Sequence, residues 1–128
     1  MNRKTLVTVT VINLLASCST SPYKEAIYLQ DQGKLMEAYT IFLQEAESGH
    51  VRSQFHVGSM LIRGRGVKRN CNDGLDWLYK ASDSGDESAS FAISVLAQTQ
   101  TLECSLNNPD LKKKYRQRAH EQGYPKND

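Results

Sequence analysis

The sequence predicts an all-α chain: a short α/α solenoid of about three helix-turn-helix repeats behind an N-terminal leader. Three observations carry this. Gly49, Gly85 and Gly123 recur at spacings of 36 and 38, and each closes a similar stretch with a large apolar residue about eight positions earlier. Between the glycines, apolar residues fall three and four apart, the period of a half-buried helix. No stretch after the leader alternates apolar with polar residues as a half-buried strand does. A length of 128 residues allows one domain. Hydrophobic content of 39% and charged content of 23% suit a globular chain. Lys plus Arg total 16 against 14 Asp plus Glu, and that near-neutral balance carries no nucleic-acid footprint.

The leader comes first. Arg3 and Lys4 precede Leu6 to Ala16, a mostly apolar run. As a helix it rises roughly 16 Å, well short of the ~30 Å hydrocarbon core of a bilayer, so it reads as a secretory signal rather than a span. It ends Leu15-Ala16-Ser17-Cys18. That string resembles the lipobox of bacterial lipoproteins, with Ser17 where Gly or Ala is commoner. The resemblance implies a signal peptide over 1–17 and lipidation of Cys18, which becomes the first mature residue. Several acyl chains give stable anchoring where one is marginal. Ser19, in place of Asp, implies by the same resemblance an outer-membrane lipid anchor on the periplasmic face. Residues 18–22 are a polar tether, placing the repeat domain, 23–128, within about 15 Å of the membrane.

The helices follow in order. Tyr23 to Gln32 carries Tyr23, Ala26, Ile27 and Leu29. Leu35 to Ala46 carries Leu35, Ala38, Tyr39, Phe42 and Ala46. Val51 to Ile62 carries Val57, Met60 and Leu61. A fourth helix runs through Trp77 to Ser84. Glu87 to Gln98 carries Ala89, Ala92, Ile93, Val95 and Leu96, and Pro109 to Gln122 keeps Leu111, Tyr115 and Ala119 on a narrow face. Turn residues stand at Gly33-Lys34, Gly64-Arg65-Gly66, Asn72-Asp73-Gly74 and Asn107-Asn108-Pro109. Six helices therefore form three antiparallel pairs. A single pair cannot bury its apolar face alone, whereas stacked neighbours can. Gly58 and Ala92 leave room for close helix approach. Lys112, Lys113, Lys114, Arg116 and Arg118 give the last helix a wet outer face, suited to a terminal cap.

His50, Gln54, Val57, Gly58, Gly64, Gly66, Val67, Trp77, Lys80, Ala81 and Gly85 together resemble the Sel-one-like repeat over residues 49 to 85. Departures are Ser53, Leu61, Leu78, and Asn70 in place of the usual Asp. Ala26, Leu29, Gly33, Ala38 and Phe42 resemble the related tetratricopeptide repeat. The third repeat is degenerate, with Ser94 and Gln100 at glycine positions. The resemblance implies a protein-binding adaptor without enzymatic activity.

Residues with chemistry of their own are few. Cys71 and Cys104 fall between the helices of repeats two and three, on one edge of the stack. In an oxidising compartment they either form a disulfide, contributing about 3–4 kcal/mol in the chain-entropy model, or remain separate thiols. His50, His56 and His120 are scattered, with no second ligand at metal spacing, so neither a metal nor a cofactor is expected. Ser21 to Lys24 spells Ser-x-x-Lys inside the tether, a poor place for catalysis. Gly64-Arg65-Gly66 lacks the Lys-Ser or Lys-Thr of a phosphate loop.

In tetratricopeptide-like solenoids the first helix of each pair lines the concave face. By that resemblance Phe55, Ser59, Ile62 and Arg63 face inward, with Phe91, Val95 and Gln98 on the equivalent face of the next repeat. Alternatively Phe55 and Phe91 pack between repeats, leaving Ser59, Arg63 and Gln98 as the contacts. The expected partner is a protein, not a nucleic acid or a small-molecule substrate. By analogy with lipoproteins of this kind, the expected role is an immunity protein that neutralises a type VI secreted toxin such as a phospholipase. The alternative is an envelope assembly or regulatory adaptor.

Overall fold

A computed structural model describes residues 20–98 and, beyond them, Asp110, Lys113, Gln117, His120 and Glu121. Over 20–98 every regular element is a helix: α1 (Pro22–Asp31), α2 (Leu35–Glu47), α3 (Val51–Arg63), α4 (Cys71–Asp83) and α5 (Glu87–Gln98). The leader, Cys18 and Cys104 lie outside the described residues. So does most of the expected sixth helix, although Asp110, Lys113, Gln117, His120 and Glu121 are helical.

Local chemistry sets the boundaries. Pro22, expected in the tether, is the first residue of α1, where its fixed φ suits a helix start and its missing N–H costs nothing. His50 caps α3 as a side-chain acceptor at the helix start. Its Nδ1 accepts from the Ser53 amide at 3.3 Å and lies 2.7 Å from the Ser53 hydroxyl. Gly49 and Gly85 follow α2 and α4 at φ of 96° and 93°, the left-handed stop expected of them.

One expected turn is absent. Asn72-Asp73-Gly74 lies in the first two turns of α4, and Cys71 opens that helix instead of sitting in a loop. The cap stands just upstream. Asn70 Oδ1 accepts from the Asp73 amide at 3.2 Å, while its Nδ2 donates to the Asp73 carboxylate at 2.7 Å. Gly74 is glycine for packing. A Cβ there would lie 2.9 Å from the Gly58 carbonyl oxygen, and one on Gly58 would lie 2.7 Å from that of Gly74. The two helices thus meet backbone to backbone.

Packing is sequential, α1 on α2, α2 on α3, α3 on α4 and α4 on α5, which is the pattern of a linear repeat array. The core has two parts. Ala26, Ala38, Phe42, Ala46, Val57, Met60 and Leu61 form one; Ile62, Leu75, Leu78, Ala81, Ala89, Ile93 and Leu96 form the other. Helix α3 supplies residues to both. Phe42 and Ile93 are fully buried. Burying a side chain of that kind contributes about 1.5–3 kcal/mol. Two buried polar contacts fix the register. Gln54 Nε2 donates to the Ala46 carbonyl at 3.2 Å, and the Ser82 and Ser90 hydroxyls meet at 2.6 Å between α4 and α5.

Candidate protein-binding face

Helices α1, α3 and α5 share one side of the array. Where α1, α2 and α3 meet, aromatic rings cluster. The His56 ring stacks on Phe42 at 4.4 Å and 3°, Phe55 meets it edge-on at 5.5 Å, and the Tyr23 hydroxyl lies 3.3 Å from His56 Nε2. Tyr23 also packs on His50 at 4.8 Å. Burial pushes the His56 imidazole below its ordinary pKa; Asp86 opposes this, while Arg52 and His50 add to it.

Between α3 and α5 lies an open groove of about 310 Å³. Phe55, Ser59, Ile62 and Arg63 line one wall, and Phe91 and Val95 the other. Six of the seven residues expected on the inner face therefore meet at one place. Gln98 ends α5, and its side chain lies outside the described residues. Ile62 corrects the expectation in part: it is 4% exposed and forms floor rather than contact surface, because it anchors the second core cluster. The alternative of wholly inter-repeat phenylalanines holds for neither ring completely. Phe55 packs partly against that cluster, whereas Phe91 remains 46% exposed.

Leu78 of α4 and Ser88, Ala92 and Leu96 of α5 were missed as lining residues. Ser88 stands three positions before Phe91 and Ala92 three before Val95, the spacing of neighbours on one helix face, and that was the signal available. A second hollow of about 190 Å³ adjoins, sharing Phe55, Ser59 and Arg63 and adding Gln30, His56 and Arg65. The face is therefore continuous from α1 to α5. Aromatic and aliphatic side chains line it together with serines and arginines.

No protein-family model and no curated protein matches the chain. Among solved structures, it is similar to the crystal structure of a Sel1 repeat protein from Oxalobacter formigenes, at 25% identity and a TM-score of 0.61 over 80% of this chain. The chain folds as a Sel1-like repeat. It spans 42% of that neighbour's length, less than half. In this Sel1-like array Trp77 and Lys80, residues of the repeat pattern, lie on the outer helix α4. The Lys80 ammonium stands 5.0 Å above the Trp77 ring, a cation–π distance, and Trp77 packs against the first core cluster.

Other candidate chemistry does not converge. Among the described residues no group of three His, Cys, Asp or Glu is placed to hold a metal, and no helix is long and apolar enough to cross a membrane. Cys71 is disulfide-bonded; its expected partner, Cys104, lies outside the described residues.

Proposed function

We propose that this Sel1-like repeat is a membrane-tethered module that binds a protein partner in the groove between α3 and α5. The repeat architecture supports a protein-interaction role. The observation that carries the reading is the exposure of Phe91 and Val95, 46% and 36%, beside Phe55 in an open groove. Large apolar side chains grouped in a concavity with a polar rim mark an interaction surface.

The proposed partner is a toxin delivered by type VI secretion, specifically a phospholipase, and the protein is its immunity factor. The lipobox at Leu15-Ala16-Ser17-Cys18 supports a lipid anchor at the outer membrane, facing the periplasm. An anchored inhibitor works at the high local concentration that tethering provides, on the surface where a lipase acts. A Cys71–Cys104 bridge belongs to the same oxidising compartment. The role requires binding and no catalysis.

The test is a pull-down from cell envelopes with the tagged protein and with Phe91→Asp as control. The expected result is a secreted hydrolase held by the wild type and lost by the variant, together with sensitivity of a deletion strain to toxin-producing siblings. Recovery of cell-wall or outer-membrane assembly proteins, with survival unchanged, assigns the adaptor role instead.

A further inference from the structure

Resting on the reading that this face binds protein, we infer that it takes an acidic, apolar segment: an apolar side chain seated against Phe55, Phe91 and Val95, with Asp or Glu residues beside it over Arg63 and Arg65. Among the described residues, the two adjoining hollows are lined by both of these arginines and by no Asp or Glu. Arg63 and Arg65 are exposed, and neither forms an ion pair among the described residues. The C terminus of α3, worth about half a negative charge, offsets only part of two guanidinium charges. Guanidinium groups at an interface rim select carboxylates, often with two parallel hydrogen bonds.

Toward the N-termini of α3 and α5 both signs are present, since Asp86 and Arg52 both act on His56. The Asp86 carboxylate accepts from the Ala89 amide at 2.8 Å, and Glu87 opens α5 next to the lining residue Ser88. Neither Asp86 nor Glu87 lines the groove, so among the described residues the guanidinium groups are the permanently charged side chains of its lining. An incoming segment whose acidic residues lie over Arg63 and Arg65 meets attraction there. The groove sits at the bottom of the volume range of small-molecule pockets, about 300–1,000 Å³. Its open, half-exposed apolar wall suits one or two side chains of a protein segment better than an enclosed ligand.

The experiment is a selection of random displayed peptides against the full chain, against Phe91→Ala, and against the double variant Arg63→Glu/Arg65→Glu. Circular dichroism checks that the variants fold. The expected wild-type consensus pairs an apolar residue with Asp or Glu. A selected peptide should lose about tenfold or more in affinity on charge reversal, which is about 1.4 kcal/mol. The double variant should enrich Lys or Arg instead. A neutral or basic wild-type consensus, or an affinity indifferent to the arginines, overturns the inference. If such peptides still depend on Phe91, the binding face stands and only its acidic preference falls. If they ignore Phe91 as well, or if no peptide is enriched, both fall.

Discussion

The His56 imidazole lies flat on the Phe42 ring, 4.4 Å away and 3° from parallel, so that a titratable group of α3 forms part of the contact with α2. Its pKa is lowered by burial. The unfolded chain, with the ordinary value near 6.5, then binds a proton more readily than the folded one. Stability is full above the unfolded pKa, falls as pH drops through it, and stops falling once the folded imidazole also protonates. The melting temperature of wild type should drop between pH 7.5 and pH 5.5. His56→Gln should show a smaller drop over the same interval, and an equal drop would remove His56 as the cause.

Gly58→Ala should destabilise the fold. The new methyl group would lie 2.7 Å from the Gly74 carbonyl oxygen and 2.9 Å from Leu78 Cγ, both at the buried α3–α4 contact. Overpacking of this kind costs about 1–3 kcal/mol. For a domain of this size that lowers the melting temperature by roughly 4–8 °C per kcal/mol. Thr40 is an exposed residue of α2. Thr40→Ala should stay within about 0.5 kcal/mol in the same melts.

Asn70→Asp should also destabilise, although Asp is the residue that the repeat pattern favours here. Asn70 caps α4 with its oxygen and donates to the Asp73 carboxylate with its nitrogen. Aspartate keeps the first contact, loses the second, and sets two carboxylates against each other. Urea denaturation should show a loss relieved by adding Asp73→Asn. A more stable single variant would mean that the Asn70–Asp73 contact does not matter.

Cys104→Ser should lower stability by about 3–4 kcal/mol in the chain-entropy model, with a reducing agent reproducing the loss in wild type. Equal melts for the two proteins under oxidising conditions would show that Cys71 has another partner.

Cys18→Ser should release the protein from membranes into the soluble fraction. Sedimentation of the variant with membranes would rule out lipid anchoring through that cysteine.

Much of this architecture was legible because it is written locally. Gly49 and Gly85 announce helix stops by a backbone conformation that glycine adopts without strain. Phe55 with Phe91, and Ser59 with Val95, could be matched because a repeat places equivalent residues at a fixed offset, and the groove follows from that offset. What escaped depends on tertiary contact. Asn72-Asp73-Gly74 has turn composition, yet Gly74 is small because Gly58 of another helix lies against it. Tyr23 and His56 are 33 residues apart, and no periodicity connects them. Ile62 shares the helix face of Phe55 but sits where that face turns into the core.

Helix α3 carries Val57, Met60 and Leu61 into one cluster and Ile62 into the next. It is a party wall: neither room can be opened without exposing it. Loss of order in the first repeat therefore strips one side of the helix whose inner face forms the groove, and a partner clasped between α3 and α5 holds a helix on which the first repeat also packs. Tyr23, whose hydroxyl meets His56 of that helix, stands on the far side of the same wall.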